Sequence, residues 1–200
     1  MGGRRRSRAP GALVAGALVL AGCNDDGRTL EPTSATMPPT EVPVTEPPDE
    51  VVGLRVTSPD VLEGEPLDPS FTCDGGGAAP IFVFSGAPVA AAELALVVVD
   101  LDGSERVHLV VSGLASTTAQ LELGQLPEGA QLGRTDGEIV GWDPPCPPPG
   151  DADHRYEVRL YAMSEPVGLA PGLPPAEALE VLERAALDVA WLRFTYASGA

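Results

Sequence analysis

Between Glu93 and Ala197 the order of apolar and polar positions predicts most of the secondary structure. The run "ELALVVVDLD", Glu93 to Asp102, is continuous, β-branched and apolar with acidic ends, as expected of a strand buried on both faces. "RVHLVVSGL", Arg106 to Leu114, follows a Gly-Ser turn, so the two strands are expected to pair as a hairpin. "HRYEVRLYAM", His154 to Met163, alternates: Tyr156, Val158, Leu160 and Ala162 point one way, and Arg155, Glu157, Arg159 and Tyr161 the other. "DVAWLRFTYA", Asp188 to Ala197, is a further strand candidate. Between these two lies "PPAEALEVLERAALD". Pro174 and Pro175 suit the first turn of a helix, and Leu179, Leu182 and Leu187 fall on one apolar stripe. The pattern predicts a mostly β domain with few helices over residues 53–200.

Ahead of that domain the pattern changes twice. Residues 1–22 place Arg4, Arg5, Arg6 and Arg8 before an apolar run from Gly11 to Ala21. The run is too short to span a bilayer and fits a signal-peptide core. It ends in Leu20-Ala21-Gly22-Cys23, which resembles the bacterial lipobox. Cys23 is therefore expected to be lipidated and to become the mature N-terminus. Residues 23–52 include "EPTSATMPPTEVPVTEPPDE", with no apolar period. Such composition buries too little surface to offset ordering entropy. A disordered tether reaching on the order of 30 Å is expected. Together these segments predict a bacterial envelope protein, lipid-anchored on the extracytoplasmic face of the membrane.

Charge and cysteine content narrow the functions. The net charge is −17, with 29 acidic residues against 12 basic ones. A surface this acidic repels nucleic-acid phosphates and argues against such a partner. With Cys23 committed to lipid, Cys73 and Cys146 remain. In an oxidising compartment they are expected to form a disulfide; two buried free thiols are the alternative. Neither has a Cys or His neighbour at ligand spacing, so no metal site is expected.

The chain has two histidines. His108 lies within a predicted strand, shortly after Asp100 and Asp102. His154 opens another strand, directly after "GWDPPCPPPGDAD". A carboxylate at a strand end beside an imidazole on a neighbouring strand fixes the ring's tautomer. A loop of prolines loses little entropy on ordering and can hold a pocket wall in place. The alternative is two unrelated surface histidines. No nucleophile-elbow serine or H-E-x-x-H is present, and the glycines of "CDGGGAAP" lack the lysine and helix of a P-loop. A catalytic set and a cofactor are not expected; the less favoured alternative is a metal-dependent hydrolase in which two aspartates and the two histidines hold a metal that activates water.

The blocks "FTCDG" (Phe71 to Gly75), "APIF" (Ala79 to Phe82), "DLD", "VHLVV", "GWDPPCPPPG" and "HRYEVRLYAM" resemble, in order and spacing, the phosphatidylethanolamine-binding protein family. The resemblance runs from about Leu54 to Tyr196 and is greatest to the bacterial, Raf-kinase-inhibitor-like branch. It implies a large antiparallel-rich central sheet packed with a smaller sheet and a few peripheral helices. It implies a pocket of Asp100, His108, Cys146, Pro148, His154 and Tyr156 that binds a small anion or a phospholipid head group. It also admits a second role, docking on a protein partner, because the family includes modulators of kinases and proteases. Several positions depart from the family pattern: Ala79 and Ile81 stand for serine and proline, Leu101 for proline, Leu109 for tryptophan and Pro144 for glycine.

The lipobox yields a direct test. A Cys23→Ser protein should leave the membrane fraction, and mass spectrometry of the wild type should find an acylated Cys23 at its N-terminus. A soluble wild type that starts at another residue would overturn the assignment.

Overall fold

A computed structural model describes residues 53–199. The expected signal peptide (1–22), lipidated Cys23 and tether (23–52) lie outside the described residues. The described chain forms two antiparallel sheets and one α-helix. In chain order the strands are β1 (Arg55–Thr57), β2 (Phe82–Ser85), β3 (Glu93–Asp100), β4 (Arg106–Ala115), β5 (Gln120–Leu121), β6 (Gln131–Leu132), β7 (His154–Met163) and β8 (Ala186–Tyr196), with α1 (Pro175–Ala185) before β8. The small sheet has the order β1-β2-β5 and the large one β6-β4-β3-β7-β8.

The central strand β3 has no exposed residue. Leu94, Leu96 and Val98 join one core, between the two sheets, with Phe82, Phe84, Leu121 and Phe194. Ala95, Val97 and Val99 join a second core, beneath α1, with Ala178 and Leu182. That double burial is why this strand reads as an unbroken apolar run while β7 alternates. The face of β7 carrying Arg155, Glu157, Arg159 and Tyr161 is not a simple solvent face. Tyr161 packs in the helix-side core, and the buried Glu157 carboxylate receives Arg159 Nε and Arg193 Nε, each at 2.7 Å.

The helix ends sooner than its apolar stripe suggests. Pro175 opens it, Leu182 is buried and Leu179 partly so, but Leu187 lies in β8 and is half exposed. Ala178 takes the third place on the buried stripe. Backbone hydrogen bonding of Ala186 onward to β7 captures the end of the helical pattern; Met163 faces Ala186, Ala162 faces Asp188, and Leu187 is the extra residue of a bulge. The β8 strand therefore begins two residues before Asp188.

Two polar devices, one buried and one at the surface, support the large sheet. At the start of β3, the buried Glu93 accepts from Gly113 N at 2.9 Å and Val167 N at 3.2 Å. Gly113 marks a bulge in β4, with a φ of 73° and with Gly129 O 2.3 Å from where a Cβ would sit; a side chain is excluded by both conformation and space. Along the outer edge of β8, the segment 63–67 makes backbone bonds: Gly64 N to Arg193 O, Thr195 N to Glu65 O, and Leu67 N to Thr195 O.

Cys73 and Cys146 are joined by a disulfide, so the alternative of two free thiols is set aside. It ties the loop after the Pro69–Phe71 turn to the proline-rich segment, whose position is also fixed by Cys73 N to Pro145 O at 3.1 Å and Trp142 Nε1 to Phe71 O at 3.2 Å. The cysteines are 73 positions apart. On the chain-entropy account, closing such a loop contributes about 4 kcal/mol. Replacing both cysteines with alanine should lower the unfolding free energy by about that amount in urea titrations. A loss below about 1 kcal/mol would show that the other bonds alone hold the loop.

Candidate functional site

Three strand ends and the proline-rich loop converge on one cleft of about 510 Å³. The end of β3 supplies Asp100. Its Oδ1 accepts from the backbone N–H groups of Asp102 (2.9 Å) and Gly103 (2.8 Å), and its Oδ2 accepts from His154 Nδ1 at 2.7 Å. The turn must come this close, and a Cβ on Gly103 would lie 2.6 Å from Asp100 Oδ2. Because His154 Nδ1 donates to Asp100, the other ring nitrogen, Nε2, is turned toward the cleft, with Asp151 Oδ2 3.9 Å away. At the rim, Asp102 takes two hydrogen bonds from the Arg155 guanidinium, at 2.8 and 2.9 Å, and one from its backbone N–H. Those bonds hold the Asp102 carboxyl down at about 2.

The β4 strand supplies His108 through an irregularity. Val98 pairs with Leu109 and Val99 with Val107, leaving His108 as an extra residue. A bulge puts two consecutive side chains on one face. Leu109 enters the inter-sheet core, and His108 sits beside Tyr156 with the rings edge to face at 5.4 Å. His108 also exchanges two bonds with the proline-rich loop: Asp143 N donates to His108 O at 2.9 Å, and His108 Nδ1 donates to Asp143 O at 2.8 Å. This fixes the tautomer and leaves Nε2 with a lone pair. Burial holds the His108 pKa below its ordinary value, against the opposing effects of the Asp143 carbonyl and carboxylate. The Asp143 side chain meanwhile pairs with Arg106 at 2.9 Å.

Tyr156, from β7, forms the floor. Its ring stacks on Phe194 at 5.0 Å between centroids. Burial, with the neighbouring Asp100 carboxylate, pushes the phenol well above its ordinary pKa, so it stays protonated. Asp100 is close enough for that influence and Oδ2 keeps a lone pair beyond the bond from His154, yet the phenol makes no hydrogen bond of normal geometry with it. Among the described residues, three buried side-chain polar atoms have no partner within the protein, and two of them, His108 Nε2 and Tyr156 Oη, belong to this cleft.

All six residues expected in the pocket line this cleft. Cys146 does so as a half-cystine, and Pro148 as an exposed part of the rigid wall. Arg106, Asp143 and Asp151 also line it and were not among the expected residues. The only signals for them are the position of Arg106 two before His108, and of Asp143 and Asp151 flanking the prolines. Among the described residues no group of three or more His, Cys, Asp or Glu side chains is arranged to hold a metal ion.

Comparison with known proteins places this geometry. The sequence model of the phosphatidylethanolamine-binding protein family matches residues 57–197. The chain belongs to the phosphatidylethanolamine-binding protein family. A Mycobacterium tuberculosis relative, named "Putative lipoprotein LppC", is 35% identical over 194 residues, covering 94% of this chain and 96% of its own. A UPF0098 protein of Methanothermobacter thermautotrophicus is 35% identical over 136 residues, covering 64% of this chain and 89% of its own. The crystal structure of Escherichia coli YbcL, described as a member of the mammalian PEBP family, matches with a TM-score of 0.69 at 27% identity, covering 72% of this chain and 98% of that one. The two sheets and helix seen here are those of the phosphatidylethanolamine-binding protein fold.

The departures from the phosphatidylethanolamine-binding protein pattern now have positions. Leu109 is fully buried in the inter-sheet core, and Leu101 packs at the edge of the helix-side core. Neither faces the cleft. Pro144 does, and it stiffens the wall where the family carries glycine.

His108 makes stability depend on pH. Its folded pKa is depressed, so the unfolded chain binds the proton more readily, and its contribution is fully present above about pH 6.5 and lost as the pH falls below that value. The loss is bounded by about 1.4 kcal/mol per pH unit. Urea titrations between about pH 7 and pH 5 should show it, and His108→Gln should flatten the slope. An unchanged slope in the variant would assign the dependence to other groups.

Proposed function

We propose that this protein is an envelope lipoprotein, anchored through Cys23, whose cleft binds the phosphate of a small phosphomonoester or phospholipid head group without turning it over. The name of the mycobacterial relative supports the anchoring. The observation that carries the binding is the pair of unpartnered atoms on the cleft floor, His108 Nε2 and Tyr156 Oη. A buried polar group without a partner costs about 1–3 kcal/mol. A ligand that satisfies both recovers that cost.

The chemistry of the pair selects the ligand. Tyr156 offers a proton, while neutral His108 offers a lone pair and becomes a donor on protonation. A phosphate monoanion carries both complements: ionised oxygens for the phenol and a P–OH for the imidazole. His154 adds a second Nε2 from the side wall. The carboxylates of Asp102, Asp143 and Asp151 around the cleft disfavour a dianion but suit the ammonium of an ethanolamine head group. Because burial keeps the His108 ring neutral in the free protein, the ligand supplies the proton as its P–OH, so affinity rises as the pH falls and the monoanion replaces the dianion.

Calorimetry with inorganic phosphate and with O-phosphoethanolamine tests this. Tyr156→Phe should weaken both ligands roughly tenfold, the value of one hydrogen bond to a charged group. Its melting temperature should hold or rise, because the hydroxyl it loses has no partner in the free protein. The phosphoethanolamine should be recovered intact. Tighter binding of phosphoethanolamine than of phosphate assigns the ammonium to the acidic rim; equal binding identifies phosphate alone as the ligand. Unchanged affinity in Tyr156→Phe would sink the proposal.

A further inference from the structure

The cleft accounts for two of the three buried side-chain polar atoms that have no partner among the described residues. The third is Arg134 Nε, and it lies elsewhere. Arg134 follows β6, where Gly133 N donates to Val110 O at 2.8 Å and Arg134 bridges Val140. A Cβ on Gly133 would meet Val110 Cβ at 2.8 Å, so glycine lets this stretch press against β4. Backbone contacts, not a counter-charge, fix the base of the arginine.

In so acidic a chain this is an exception. Arg106, Arg155, Arg159 and Arg193 each have a carboxylate oxygen at 2.7 to 2.9 Å. Arg134 makes no ion pair or side-chain hydrogen bond with any described residue. Its side chain instead helps to line a small cavity of about 40 Å³ between β4, β6 and the loop that leads into α1. Unlike the cleft, this cavity has no carboxylate in its lining. Ser112, buried on β4, adds a hydroxyl that makes no hydrogen bond with another described residue. The remaining walls are largely apolar: Val110 and Ala178 are buried, and Leu169 and Leu173 are half-buried.

We propose that this cavity is a second binding site, for the carboxylate of a molecule whose adjoining part is a short apolar chain. A guanidinium presents its donors as a planar fork, and a carboxylate is the planar group whose two oxygens accept from Nε and one Nη side by side. The Ser112 hydroxyl supplies a further donor. The volume admits about three water-sized centres, which suits a carboxyl group and is too tight for a tetrahedral phosphate ester. Charge selects in the same sense. One guanidinium matches one negative charge, and the apolar walls would leave the second charge of a dianion without a donor. Beyond the carboxyl group, the half-buried Leu169 and Leu173 offer surface to the apolar chain. The net charge of −17 opposes any anion at long range, but physiological salt screens that field beyond about 8 Å, so the neighbouring groups decide. The same chemistry is carried by a free short-chain fatty acid and by the C-terminus of a peptide. The cavity shares no lining residue with the cleft, so the two sites fill independently.

Saturation-transfer NMR and calorimetry on the full chain test the site, with sodium butyrate and the tripeptide alanyl-alanyl-valine as probes. Saturation should pass from the wild type to both probes, and not to the tripeptide amide. Arg134→Met keeps the apolar stem and removes the donors. It should weaken butyrate about tenfold or more, the value of a hydrogen bond between charged groups. Its melting temperature should hold or rise, because the guanidinium it loses has no partner in the free protein. Arg134→Lys keeps the charge without the fork and should also bind several-fold more weakly than the wild type. Inorganic phosphate should leave butyrate in place. Tighter binding of the tripeptide assigns the site to a peptide C-terminus; tighter binding of butyrate assigns it to a free acid. No transfer to either probe, equal affinity in Arg134→Met, or binding of the amide as tight as that of the acid would overturn the site. Displacement of butyrate by phosphate would overturn it as well, by placing butyrate in the cleft, and would leave the phosphate reading of the cleft intact.

Discussion

The site depends on a reciprocal pair of hydrogen bonds between His108 and Asp143. Asp143 N donates to the His108 carbonyl, and the His108 ring donates back to the Asp143 carbonyl. One consequence is mechanical: the proline-rich loop is fastened to β4 as though it were a strand, although prolines deny it most ladder donors. Another is chemical: the ring's Nδ1 proton is committed, and Nε2 is left facing the cleft. The β4 bulge makes both possible, since it delivers His108 to the face that carries Tyr156. The disulfide and Trp142 then secure the loop's other side to the chain near Phe71, and Arg106 neutralises the Asp143 carboxylate that the arrangement leaves partly buried.

Legibility in the sequence followed the range of the interactions. The β3 strand was evident because a strand buried on both faces needs apolar residues throughout. The β7 strand was evident because one of its faces is wholly apolar. The strands β1, β5 and β6, two or three residues each, leave no such trace; they exist because a neighbour offers a ladder. The misplacement of Leu187 has the same origin. Helical periodicity continues through it, but the competing strand signal lies in a register with β7 that no local window contains.

The site was legible to a similar depth. His108 and His154 stand out by scarcity, and Asp100 by its place at the end of an apolar run. Arg106, Asp143 and Asp151 were not legible, because their positions depend on the bulge and on the course of the proline loop. The family resemblance supplied what local reading could not, namely that residues dozens of positions apart share one cavity. It could not supply the charge of that cavity. Four carboxylates surround two imidazoles and one arginine, a balance that no single departure from the family pattern reveals.

The segment 63–67, laid along the outer edge of β8, has a bearing on life at high density. An open strand edge is a template for another chain, and the more crowded the chains, the more often such edges meet. Here Gly64, Glu65 and Leu67 occupy the hydrogen-bonding positions at Arg193 and Thr195. An intramolecular contact closes that stretch of the sheet to its neighbours, so crowding need not become polymerisation.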